Sequence, residues 1–286
     1  MRTIKVASAF LVVVALSYSA MAAAQESNDA SVSHQLRDLP WQHGPAKGVL
    51  GDKATVQIPS DGGMLPQGKG GKFLELTGNL PDPETAILVH GNWWATFDFV
   101  DEGYVKDDEK IDPDALLKTM KDNQQESNAE RKKRGLPLLY IDGWYVEPHY
   151  DKTTNRLEWG AKLHSSESND AIVNYTVRIL GRSGHESATL VSDPASLDAD
   201  VKEFKQVLAS FEFNSGQKYS DFKPGDRVAA YGLGALVVGG AAAVAAKSGF
   251  WKVIVGALVA GWKLLAAGAV ALFAAIGKAF GRKRKD

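Results

Sequence analysis

Cysteine is absent from this 286-residue chain. Disulfides, thiolate metal sites, thiol nucleophiles and lipid attachment through an N-terminal cysteine are therefore excluded. There is no Walker phosphate loop, no dinucleotide glycine fingerprint and no H-E-x-x-H zinc motif. No G-x-S-x-G elbow surrounds a serine, and no internal repeat is visible. The chain also lacks a charge excess, with a formal net charge of −1. That balance conceals a segregation. Residues 1–24 carry Arg2 and Lys5 and no acid. Residues 25–227 carry 23 Lys/Arg against 33 Asp/Glu, a net −10, and residues 228–286 carry eight Lys/Arg against Asp286 alone, a net +7. An acidic body is repelled by nucleic acid, whereas a basic tail beside apolar sequence is drawn to anionic lipid.

The N-terminus has the parts of a secretory signal. Arg2 and Lys5 precede an apolar run from Val6 to Ser17, and Ala20, Ala22 and Ala24 suit cleavage after Ala22 or Ala24. Residues 1–24 are expected to be removed, leaving a polar, flexible segment over 25–35. Two apolar stretches close the chain. Val228 to Ala246 is uncharged over 19 residues, just long enough to cross a hydrocarbon core. Val253 to Ile276 is more hydrophobic but is interrupted by Lys263. Small residues at four-residue spacing, Ala235/Gly239/Ala243 and Ala257/Gly261, suit close helix packing in lipid. The basic tail Arg282, Lys283, Arg284 and Lys285 favours a cytoplasmic end, hence one crossing over a two-helix hairpin. Residues 228–286 are therefore expected to anchor an exported body to the bacterial cytoplasmic membrane. The bilayer is the expected partner, an envelope protein a second one, and no cofactor is expected.

The body, 36–227, alternates short strands with turns. Strands are expected at Ala54–Ile58, Lys72–Leu76, Thr85–His90 and Trp93–Val100, the last two joined by a two-residue turn at Gly91-Asn92. Trp93, Ala95, Phe97 and Phe99 share one face, which should be the core face. Asp112 as N-cap, Pro113 at the first position and Gly135 as C-cap delimit a helix over 113–134. Further strands are expected at Leu138–Ile141, Trp144–Glu147, Leu157–Leu163, Val173–Leu180, His185–Val191 and Phe211–Phe213. A second helix, Leu197 to Ala209, carries Val201, Phe204 and Leu208 on one side. The fold class that follows is α+β: a mainly antiparallel sheet covered on one face by one or two helices.

The stretches WWATFDFVDEGYVKDDEKID, GWYVEPHYDKTTNRLEWG, NYTVRILGRSGHES and YSDFKPGDRVAAYGLGAL resemble the bacterial family of predicted membrane-anchored proteins catalogued as domain of unknown function 2167. The resemblance runs from about Leu39 to the tail. It implies an exported, membrane-tethered protein and transfers no catalytic residue. The two strands, helix and ASFEF ending are also similar to the sheet-and-helix fold of the photosystem subunit PsbP, which speaks to fold alone.

Three groups of residues invite chemistry. The acids Asp98, Asp101, Glu102, Asp107, Asp108, Glu109, Asp112 and Asp114 suggest calcium, but lack the glycine and terminal glutamate spacing of an EF-hand loop. Glu147, His149 and Asp151 alternate, so an unbroken strand would project them from one face as a zinc or acid–base row beside Trp144 or Trp159. Pro148 and the turn DKTTN argue instead for a polar strand end. Ser183 and His185 lie close together in a turn. The expected function is a binding or assembly module, with an envelope hydrolase built on Glu147, His149 and Asp151 as the alternative.

Overall fold

The computed structural model describes residues 31–77, 82–133, 138–166, 168–192 and 194–238. Eleven strands form two antiparallel sheets among these residues. The large sheet has the order β1 (Gln42–His43), β4 (Gly63–Leu65), β5 (Ala86–His90), β6 (Trp93–Val100), β10 (His185–Val191), β9 (Ser168–Leu180), β8 (Arg156–Ser165) and β7 (Leu139–Asp151). A small sheet pairs β2 (Ala46–Leu50), β3 (Ala54–Ile58) and β11 (Glu212–Phe213) in the order β11-β3-β2. The helices are α1 over 31–37, α2 (Gly71–Leu76), α3 (Pro113–Lys133), α4 (Leu197–Ala209) and α5 (Leu233–Val238).

The β5–β6 hairpin closes as its sequence dictates, with His90 opposite Trp93 and Gly91 in the left-handed region at φ +54°. On β6, Trp93, Ala95 and Phe97 are fully buried on the expected face, with Phe99 packed at its margin. That face is covered by α4, through Val201, Phe204 and Leu208, and by the small sheet, through Leu50, Val56 and Ile58. Trp93 meets Phe204 edge to face at 5.7 Å.

The opposite face is covered as well, where only one covered face was expected. It carries two separate apolar clusters. One joins Trp94, Ile87 and Val89 to Leu36 of α1 and to Phe73 and Leu74 of α2. The other joins Leu157, Trp159, Leu180 and Val105 to α5, with Leu116 and Met120 of α3. The adjacent Trp93 and Trp94, buried on opposite sides, are the sequence sign of a sheet covered twice.

Four local expectations change. Lys72–Leu76 is helical: Phe73 and Leu74 are neighbours and both buried, which a strand exposed on one face does not allow. Residues 31–35 belong to α1 rather than to a flexible segment, because Leu36 is drawn into the Trp94 cluster. The two strands expected on either side of Asp142-Gly143 are one strand, β7, which absorbs irregularities at Ile141/Gly143, Trp144/Val146 and Val146/His149. The C-cap expected at Gly135 lies outside the described residues.

The last change concerns the first apolar stretch. Val228 forms a parallel bridge with Tyr104, and Leu233, Leu236 and Val237 are at most 5 % exposed against the body. Residues 228–238 are thus part of the folded domain. Among the described residues no helix is long and apolar enough to cross a membrane. Ala246, Val253, Ile276 and the tail Arg282, Lys283, Arg284 and Lys285 lie outside the described residues.

Candidate functional site

The structure does not align Glu147, His149 and Asp151 as one row. The irregularity between Val146 and His149 inserts a residue into β7 and breaks the alternation that would align the three side chains. His149 is exposed and its Nδ1 donates to the carbonyl of Glu147 at 3.0 Å. Asp151 accepts from the backbone of Thr153 and the hydroxyl of Thr154, both at 2.8 Å. Those bonds hold its carboxyl below the ordinary range, as in any turn-capping aspartate. Trp144 and Trp159 pack in the α3–α5 cluster, whereas His149 stands opposite Glu158 and Val177 on the α4 side. The aromatics of the hydrolase reading are therefore separated from its histidine by the sheet. Among the described residues no group of three or more His, Asp or Glu side chains could hold a metal ion.

The acidic stretch after β6 receives residues 227–234. Asp101 binds the Arg227 guanidinium. Tyr104 exchanges backbone hydrogen bonds with Arg227 and Ala229, and Glu109 accepts the Gly234 N–H at 2.9 Å. Tyr231 donates to Glu102. Gly103, at φ +96°, lies so near that a Cβ would sit 2.9 Å from the Arg227 carbonyl. Asp112 caps α3, accepting from Ala115 N–H at 3.1 Å. Thus Asp101, Glu102, Tyr104, Glu109 and their neighbours form a cradle for a strap over 226–238.

Beside the strap lies a row of buried and half-buried polar groups. Cross-strand register sets Asp98, Ser187 and Arg178 side by side on β6, β10 and β9, with Thr96, Thr189 and Thr176 as the next row. They occupy the gap between the two apolar clusters of this face. Burial pushes the Asp98 carboxyl up to about 7, against the opposing bond from Thr85. Arg178 stacks over Trp159 at 5.6 Å, and burial lowers its guanidinium to about 10, so it stays charged at neutral pH. At the strap end His185 Nδ1 lies 2.5 Å from Glu102. Burial favours an uncharged Glu102, but bonds from His185 and Tyr231 outweigh it and its pKa falls. Burial lowers the pKa of His185, so the pair is a neutral imidazole donating to a carboxylate. His185 Nε2 has no hydrogen-bond partner and is closed off from solvent. His185 and Ser187 share this face, two residues apart and so about 7 Å along the strand, and no hydrogen bond joins them.

This seam went unrecognised in the sequence because each polar residue alternates with a hydrophobe in a strand that otherwise reads as core. The visible signal was polar residues at alternate positions in three strands: Thr96/Asp98, Thr176/Arg178 and His185/Ser187/Thr189.

A family model described as "Protein of unknown function (DUF2167)" matches residues 42–278. The chain belongs to this family. The match takes in both sheets from β1 onward, the cradle and the strap. No curated protein matches the sequence. Among solved structures, the chain is similar to the solution structure of cyanobacterial PsbP (CyanoP) from Synechocystis sp. PCC 6803 at 11% identity and a TM-score of 0.34, over 58% of this chain and 90% of that one.

Proposed function

We propose that this member of the family is an exported binding or assembly module, held on the outer face of the bacterial cytoplasmic membrane by its C-terminal apolar sequence. The observation that carries this reading is the strap. Residues 226–238 are locked onto the body by Asp101, Glu102, Tyr104 and Glu109. Whatever follows Val238 therefore leaves the domain from a fixed point, as a module presented at a surface requires. Because 228–238 belongs to the body, the crossing falls to Val253–Ile276, and the basic tail Arg282–Lys285 then lies in the cytoplasm. The signal-like residues 1–24 supply the export this reading needs.

Two experiments test it. The full mature chain should resist carbonate extraction from membranes, and a reporter fused after Asp286 should be active in the cytoplasm. Release by carbonate, or a periplasmic reporter, defeats the anchoring. Against the hydrolase alternative, His149→Ala should fold, reach the membrane and complement a deletion strain as well as the parent does. A correctly localised His149→Ala protein that fails to complement, with stoichiometric zinc in the parent, would reinstate Glu147, His149 and Asp151 as a catalytic set.

A further inference from the structure

At the end of the domain where the strap begins, the structure holds an open cleft of about 240 Å³ lined by Lys53, Arg182, Ser183, Gly216, Gln217, Asp226 and Arg227. Three of its side chains are cations and one is an acid, in a body whose net charge is −10. The acid does not cancel them evenly. Asp226 is gripped fork to fork by Arg182, whose Nε and Nη2 lie 2.7 and 2.8 Å from its two oxygens. That grip holds the Asp226 carboxyl down to about 2 and aims the guanidinium, whose Nη1 reaches only a long 3.4 Å contact with the Gly216 carbonyl. Lys53 stands over the Phe99 ring, and its carboxylate neighbour Asp52 is 3.5 Å away and 82% exposed. Arg227 uses Nη2 on Asp101, itself 65% exposed. Ion pairs with partners so open to water are worth little and exchange readily. Ser183 and Gln217 add neutral hydrogen-bonding groups on the walls.

We infer that this cleft binds a phosphate group, with Lys53, Arg182 and Arg227 contributing one charge-assisted contact each from separate walls. A tetrahedral anion with several oxygens suits cations that converge from three elements better than a planar carboxylate does. The phosphate can belong to a lipid headgroup or be free in solution. Arg227 is the last charge before the uncharged run from Val228 to Ala246, so the cleft stands where the chain enters the strap that carries it to its exit after Val238. The lipid source rests on the membrane-held reading above; the free-phosphate source does not.

The test uses the full mature chain. In detergent it is titrated with inorganic phosphate, and in lipid nanodiscs it is compared between phosphatidylcholine alone and phosphatidylcholine with phosphatidylglycerol. Hydrogen exchange is read over 181–184 and 216–218. Exchange at both loops should slow saturably with phosphate, with phosphatidylglycerol, or with both. Lys53→Gln and Arg227→Gln should each weaken the effect about tenfold, the loss of one charged contact. A response to inorganic phosphate alone identifies a soluble ligand, and one to phosphatidylglycerol alone a headgroup. No saturable slowing in either setting, or full binding by both variants, overturns the inference. Carbonate extraction reports the membrane attachment separately, so the two readings fail independently.

Discussion

Asp98 and Glu186 are neighbours in charge and opposites in surroundings. Asp98 faces the polar seam, with Thr85 bound to its carboxyl, and burial raises its pKa from 3.8 to about 7. Below about pH 4 folded and unfolded chains both hold its proton. Between about 4 and 7 the unfolded carboxyl ionises while the folded one does not, so the unfolded state binds fewer protons and stability falls as pH rises. Above 7 the penalty is constant, at most about 4 kcal/mol for a shift of this size. Asp98→Asn should remove that slope, so the difference between parent and variant stability should change across pH 4–7 and be flat above it. Parallel curves would mean that Asp98 ionises normally. Glu186 sits on the other face, 1 % exposed, with neither carboxylate oxygen hydrogen-bonded. Its pKa is pushed well up by burial and by Asp98. An apolar side chain of similar length removes a buried unsatisfied group at little packing cost. Glu186→Met should therefore raise the melting temperature at neutral pH, and a fall would reveal a partner for this carboxyl.

Among the elements, α3 and β7 show how far local signals reach. The start of α3 is local chemistry, Asp112 capping and Pro113 leading, and both stand where the sequence puts them. Asp112→Ala should cost about 1 kcal/mol in chemical unfolding. An unchanged midpoint would mean that water serves the Ala115 N–H equally well. The bulged strand β7 is different. Its inserted residues turn Trp144 toward Pro113 of α3, whose carbonyl accepts the indole N–H at 3.2 Å. They also leave His149 on the far side of the sheet, opposite Glu158. Alternation counted along the sequence has no means of registering an inserted residue, and the Glu147, His149 and Asp151 row was lost to that one irregularity.

For the whole molecule, the strap decides where the domain ends. Leu233, Leu236 and Val237 seal Trp159, Leu157 and Val105, and each such side chain contributes roughly 2 kcal/mol. A mature chain truncated after Val238 should be folded and cooperative in thermal melts. One truncated after Asp226 loses about 6 kcal/mol, comparable with the whole stability of a domain, and should expose apolar surface and bind a hydrophobic dye. Equal melting of the two truncated chains would place the strap outside the cooperative unit.

Most strands, the Gly91 turn, both long helices and the antiparallel class were legible from residues 54–213 alone, whereas β4 was not expected and Lys72–Leu76 was expected as a strand. Each rests on interactions within a few residues: capping, turn geometry and hydrophobic period. The match of residues 42–278 to the family model likewise reflects sequence alone. What the sequence could not determine was which apolar residues meet protein. Val228–Ala246 has the length and composition of a span, yet its first half completes a cluster with Trp159, because burial beside another side chain and burial in lipid select the same residues. The acids from Asp101 to Glu109 were similarly ambiguous, since a carboxylate serves calcium, solvent or a strap equally well until its partner is known. Their partners, Arg227, Tyr231 and Gly234, lie about 125 residues away. Only the tertiary structure brings them together, because pairing across that separation depends on the order of strands in the sheet rather than on any local preference.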